Sequence, residues 1–287
     1  MKTILVPIDF SKNAHNALTY AIGMAHKKIA QLLLLHVCQQ KEGNTTRATK
    51  QKQNKLEVLC DSINKLQKVQ CSAQIEEGIV TDCIEKTTAA QKVDWLVMGT
   101  KGAKGIKEIY FGSNAKRASQ KAHCPVIIVP KKAQYKGIRN IAFYCSYYDV
   151  ETSLSTLMQI IELAEFYTAD IFVFQINDEE CIMQEEKKLF ENFKKKVHSA
   201  TKFKNIEFHL ISGNDDEARL EFILHEASSD LLAISANNRL MMEKIFGEKT
   251  KHKAINRRQI PLLVYNSMQQ SSHYAHLFIF ISYPFEQ

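Results

Sequence analysis

The sequence lacks the motifs that announce most enzymes, metal proteins and membrane proteins. No apolar run approaches the roughly eighteen residues that crossing a bilayer requires, and the first residues enter a strand-like pattern without a signal-peptide profile. The seven cysteines (Cys38, Cys60, Cys71, Cys83, Cys124, Cys145 and Cys181) form no CxxC pair and no metal-ligand spacing. An odd, scattered set inside apolar patterns reads as reduced, buried thiol. The ten histidines never form HExxH or a Cys/His cluster. His36, within an apolar run, reads as a packed or hydrogen-bonded residue, so no metal site built from protein side chains is expected. A GxxxxGK[ST] phosphate loop, a nucleophile elbow and a placed His–carboxylate couple are also missing. These absences predict a cytoplasmic chain without a tuned catalytic constellation.

What is present is ordinary for a folded protein. The 287 residues exceed one average domain, with 45% hydrophobic and 24% charged content. The net charge of +7 gathers in part at Lys187, Lys188, Lys194, Lys195, Lys196, Lys202 and Lys204, around a helical pattern that turns Leu189, Phe190, Phe193 and Val197 inward. A solvated helix face accounts for that cluster. No aromatic-interleaved recognition motif supports a specific nucleic-acid surface.

In chain order, the apolar run Thr3 to Ile8 suits a buried parallel strand, and Ser11 can cap a helix with Ala14, Ala17, Leu18, Ala21 and Ala25 inward. Leu32 to Val37 is a second strand. Gln39 to Gln53 reads as a polar loop leading to a helix with Leu56, Leu59, Ile63 and Leu66. Val69 to Ile75 alternates as a strand near a sheet edge does, Gly78 turns the chain, and Val80 to Ala90 is a helix. Trp95 to Met98 and Val126 to Val129 are apolar runs on either side of a glycine-containing loop and a helix that ends near His123. Strands alternating with helices at this pitch predict a parallel sheet covered on both faces. Asp9, Val37 and Gly99 fall at the carboxyl ends of its strands, where ligands of such sheets sit.

After a basic linker, Lys131 to Gly137, the order repeats: strands at 141–145, 170–175, 206–211, 231–235 and 261–265, with helices at 150–164, 183–202 and 216–227. Gly78 recurs as Gly213, Gly112 as Gly247 and Pro125 as Pro261, at an offset of roughly 135 residues, which marks an internal duplication.

The loop between the fourth and fifth strands carries the sharpest signal. Gly99 and Gly102 let backbone approach a bulky anion, and Gly112-Ser113 opens a helix whose free N–H groups favour phosphate, the Ser113 hydroxyl being able to cap it or to bond a phosphate oxygen. Ordinary strand–helix loops use such glycines too. The full spacing Gly99-x2-Gly102-x9-Gly112-Ser113, together with the opening KTILVPIDFSKNAHNAL and the closing CPVIIVP, resembles the universal stress protein family. The resemblance implies two tandem Rossmann-like domains of the adenine nucleotide alpha hydrolase-like kind, each a five-stranded parallel sheet with helices on both faces. They would occupy residues 1–132 and 138–268, leaving 269–287 as a tail. It further implies ATP, ADP or AMP in the first domain. Asp9 would face the adenine–ribose region, with Pro7 and Ile8 also among the binding residues and Val37 offering backbone groups to the adenine edge. Gly99 and Gly102 would admit the ribose and phosphates closely, with Met98 also among the binding residues, and Gly112, Ser113 and Asn114 would donate to the phosphate tail. Lys101 would add positive charge there or stay solvated, and Asp9 could instead serve as a turn or capping carboxylate. Mg²⁺ would bridge phosphates, held by ligand oxygens and water.

The second copy departs from the motif. Ser146 aligns with Asp9, Ser235-Ala236-Asn237-Asn238 replaces the glycine pair, and Gly247-Glu248 replaces Gly112-Ser113, so the second domain is expected to keep the fold and lose family-type nucleotide binding. The expected role is regulatory, in a stress response, through a protein partner that the sequence does not name. The two repeats would form an intramolecular pseudo-dimer, and further pairing into a homodimer stays open. An assembly module with a vestigial site and an ATP-using enzyme are the alternatives. His276 to Tyr283 is strongly strand-forming and would add to a sheet edge, pair with another chain or stay disordered.

Overall fold

Why so many strands here are apolar without alternation follows from where they lie. In the computed structural model, which describes residues 1–27, 30–38, 46–67, 69–100, 112–177, 182–213, 216–246 and 259–266, the first half runs β1 (Lys2–Pro7), α1 (Lys12–Lys27), β2 (Ala30–Cys38), α2 (Thr46–Ser62), a π-helical turn (Ile63–Gln67), β3 (Cys71–Glu77), α3 (Val80–Ala90), β4 (Trp95–Gly99), α4 (Ser113–Lys121) and β5 (Val126–Val129). The second runs β6 (Asn140–Tyr144), α5 (Val150–Tyr167), β7 (Asp170–Asn177), α6 (Gln184–Ala200), β8 (Ile206–Ser212), α7 (Asp216–Glu226), β9 (Leu231–Ser235), α8 (Arg239–Phe246) and β10 (Leu262–Tyr265). Ile4, Leu5 and Val6 of β1, and Val126, Ile127 and Ile128 of β5, are fully buried because helices cover both sheet faces. The edge strands β3 and β8 are the partly exposed ones, as alternation at 69–75 predicts.

All ten strands form one sheet in the order β3-β2-β1-β4-β5-β10-β9-β6-β7-β8. Each half repeats the same five-strand order, and the pairings within a half are parallel. The halves meet at an antiparallel seam, Val126↔Val264, Ile127↔Leu263 and Ile128↔Leu262, whose register is symmetric about the central pair. The two five-stranded parallel sheets are present as expected, and the seam joins them edge to edge into one continuous sheet. One core packs α1, α2, α5 and α6 on one face, and the other packs α3, α4, α7 and α8 on the opposite face.

Small contacts repeat as well. Asp94 Oδ2 accepts the Thr3 N–H at 2.7 Å, and Asp230 Oδ2 accepts the Asn140 N–H at 3.2 Å, each tying the start of a central strand. Gly78 and Gly213 both turn the chain at positive φ, +141° and +137°.

Several expectations need correction. Thr46 to Gln53 is helical, because its Arg, Ala, Lys and Gln are good helix formers despite their polarity. Leu189 is 40% exposed; the buried stripe of α6 is Glu186, Phe190, Phe193 and Val197, a spacing of four, three and four. Helix α8 was not anticipated. Among the described residues no helix is long and apolar enough to cross a membrane. The 276–283 run lies outside them, as do Gly247 and Glu248.

Candidate functional site

β1→β2→β3 proceeds to one side of the sheet and β4→β5 to the other, so the chain order reverses between β1 and β4. Crevices for ligands form outside the carboxyl ends of strands at such a point. Pro7 ends β1 and Ile8 and Asp9 follow it, Val37 is the penultimate residue of β2, and Met98 and Gly99 close β4, so six of the predicted residues share one rim. The Ile8 N–H donates to Leu35 O at 2.8 Å, which carries the β1–β2 ladder to the rim. Asp9 is exposed, and its Oδ1 accepts the Ser11 N–H at 2.9 Å, the turn carboxylate role; Ser11 Oγ caps α1 by accepting from the Ala14 N–H at 3.2 Å. His36 is buried with Nδ1 2.6 Å from Ile8 O, a packed and hydrogen-bonded histidine as expected.

Gly99 has a packing reason of its own. A Cβ there would lie 2.6 Å from Asn13 O and 2.9 Å from Asn13 C, so the absent side chain lets the first turn of α1 sit directly on the end of β4. Asn13 Nδ2 also donates to Thr100 O, binding that turn to the rim.

Helix α4 begins beyond the loop. Gly112 is its N-cap and Ser113 its first helical residue, so Ser113 does not cap through its side chain; the backbone bond from Lys116 N–H to Gly112 O measures 3.1 Å. Ser113 and Asn114 are exposed at this N-terminus. Lys101 and Gly102 lie outside the described residues.

The same rim in the second half holds a cavity of about 520 Å³. Its walls come from the ends of β6, β7 and β9 and the starts of α5, α6 and α8. The organising group is Glu186, 5% exposed. Its Oε1 accepts from the Tyr147 and Tyr148 hydroxyls, both at 3.2 Å, and its Oε2 from Asn177 Nδ2 at 2.6 Å and Met183 N at 2.8 Å. The Met183 N–H first, and then these side-chain donors, hold the carboxyl below its usual range. Burial pushes the Tyr147 phenol up, so it stays a donor. Arg219, buried, donates to Asn177 O and braces the same corner. Gln175 Nε2 donates to Ile176 O at 3.0 Å. At the β9 end, Asn237 N donates to Ser235 Oγ at 3.2 Å, and Asn238 caps α8 by accepting from Met241 N at 3.0 Å. Sequence reasoning missed Glu186, although its place on the buried stripe of α6 is a legible signal.

Comparisons with known proteins fit this architecture. The sequence profile of the universal stress protein family matches residues 1–130. Universal stress protein MJ0531 of Methanocaldococcus jannaschii is 27% identical over 140 residues, covering 45% of this chain and 82% of its own length. Universal stress protein MJ0577 of the same organism is 26% identical over 155 residues, covering 46% of this chain and 96% of its own. The crystal structure of a universal stress protein from Archaeoglobus fulgidus superposes with a TM-score of 0.70 at 14% identity over 92% of this chain and 98% of that one, a likeness of fold across both halves. By the family profile and by both relatives, residues 1–130 match the universal stress protein family.

Proposed function

We propose that the protein is a cytoplasmic tandem universal stress protein whose first half binds an adenine nucleotide, ATP in the leading form, and relays its occupancy to a partner in a stress response. The observation that carries this reading is the shared rim: Asp9, Val37 and Gly99 stand at neighbouring strand ends beside the order reversal, within the stretch that matches the family. The base and ribose lie by Ile8, Asp9 and Val37. The phosphates run past Met98 and Gly99, through Lys101 and Gly102, to the N–H groups of Gly112, Ser113 and Asn114, where the α4 dipole favours anions. A Mg²⁺ ion would be held by phosphate oxygens and water, since among the described residues no three His, Cys, Asp or Glu side chains cluster. Occupancy matters only through differential affinity for two states of the protein. The pseudo-twofold seam supplies the internal pairing that a single-repeat relative would obtain from a second chain, and a further homodimer remains compatible with it.

Calorimetric titration of the full chain with ATP, ADP and AMP, with and without Mg²⁺, tests the reading. One nucleotide per chain is expected. Gly112→Val is expected to weaken binding at least tenfold, about 1.4 kcal/mol, with unchanged circular dichroism. Unaltered affinity in that variant overturns the pocket.

A further inference from the structure

The second-half cavity has its own chemistry. At about 520 Å³ it falls within the roughly 300–1,000 Å³ range of pockets that enclose small organic ligands. Gln175 lines it and is 5% exposed. Only a nitrogen can face the Ile176 carbonyl at 3.0 Å, so the amide orientation is fixed, and Oε1, shielded from water, has no hydrogen-bond partner. Such an acceptor asks for a donor from a ligand. The outer amide torsion of glutamine is broad, so Oε1 can turn toward a donor in the cavity that Gln175 lines.

The remaining walls select against phosphate. Glu186 has about four lone-pair sites and four donors on them, so it gives a ligand no further bond but keeps its negative charge at the wall. Asp149, also in the lining, adds a second carboxylate, against Arg239 as the one cation among the described lining residues. Ser235 stands where the first half has Gly99, and α8, capped by Asn238, begins four residues after it. Gln175 and Ile176 occupy the strand positions equivalent to His36 and Val37, since Leu35 and Phe174 accept matching bonds from Ile8 and Cys145.

From these features we infer that the second half binds an unphosphorylated nucleoside, its base amino group donating to Gln175 Oε1 and its sugar hydroxyls meeting Ser235 and Asn237. The inference rests on the first-half reading for the placement of the base. The two crevices of one sheet then sort ligands by charge, triphosphate to the first and neutral nucleoside to the second.

Equilibrium dialysis of the full chain with labelled adenosine is the test, run in the Gly112→Val background so that the first crevice is weakened. Saturable binding of one adenosine per chain is expected. Excess ATP should displace it at least a hundredfold less effectively than excess adenosine, and Gln175→Leu should weaken it at least tenfold. If Gln175→Leu does not fold, Asn237→Trp, at an exposed lining position, fills the cavity instead and is expected to give the same loss. Absent saturation, binding indifferent to these variants, or equal displacement by ATP each overturns the inference. Failure of ATP to bind the wild-type chain, with adenosine binding intact, refutes the first-half reading alone.

Discussion

After β1 the chain turns through Phe10, and at the equivalent point after β6 it turns through Tyr147. Phe10 adopts a positive φ of 61° and leaves its ring half-buried, 5.2 Å from the His36 ring. Tyr147 is buried, and its hydroxyl reaches Glu186 on α6. The neighbouring strand carries His36 in one half and Gln175 in the other, the third carries Gly99 or Ser235, and identical backbone pairing surrounds both sets. One rim is built by bringing α1 onto bare backbone, the other by a network of side chains around a carboxylate. The strand ladder fixes where a crevice forms, and only the few residues at strand ends fix its chemistry. A duplicated sheet can therefore keep its architecture while its two sites diverge.

The largest expected effect is at the centre of the side-chain network. Glu186→Leu removes the acceptor of four donors. Tyr148 and Met183 are exposed and Asn177 is half-buried, so these can regain water, whereas the buried Tyr147 keeps only the Tyr148 hydroxyl at 3.4 Å; hydrogen bonds to a charged group are worth about 1.5–3 kcal/mol each. A loss of about 3–5 kcal/mol by chemical denaturation is expected, and under 1 kcal/mol would mean that the network is ornamental to stability. The pH dependence has a definite sign. Because the folded-state pKa is lowered, the contribution is fully present above the ordinary glutamate value, about 4.3, and is lost as pH falls from there through the folded value. Glu186→Gln should flatten that acid limb relative to wild type.

Next comes the bare-backbone rim. Gly99→Val forces a Cβ against Asn13 backbone, which cannot yield as a flexible side-chain tip would, and a loss of about 3 kcal/mol is expected, at the upper end of overpacking costs. The reverse change, Ser235→Gly, should cost no more than about 1 kcal/mol, the usual penalty of glycine in a strand. Equal losses at the two positions in thermal or chemical denaturation would erase the distinction between the rims.

How legible these differences were depends on range. Strand runs, the edge character of β3 and the recurrence of Gly78 as Gly213 and Pro125 as Pro261 are local, and periodicity carries them. The seam between Ile127 and Leu263 joins residues far apart in sequence, and two buried apolar strands give no sign of which neighbour each will choose. Gly99 looked like a ligand glycine because the glycine spacing is a ligand motif, yet the backbone it admits in this structure is that of Asn13. Glu186 shares the buried stripe of α6, a signal legible in the sequence, but its role emerges only when its donors, on β7 and after β6, are placed beside it. Short runs such as Arg239 to Phe246 carry too few turns for a helical period to stand out from a loop.

Where the halves agree, substitutions should not tell them apart. Gly78 and Gly213 follow equivalent edge strands at φ +141° and +137°, and at each the nearest atom to an added Cβ is 3.5 Å away, Cys83 Sγ in one case and Arg219 Cδ in the other. Space is adequate at both positions, so the cost of Gly78→Ala or Gly213→Ala comes from backbone conformation alone, about 1–2 kcal/mol. The two losses, read from denaturation midpoints at constant m, should match within about 0.5 kcal/mol. Mutations far apart in separate contacts also add, so the double variant should lose their sum. If the Gly213 variant were markedly the weaker, the divergence of the second half would extend beyond its strand-end chemistry into the turns that carry the repeat.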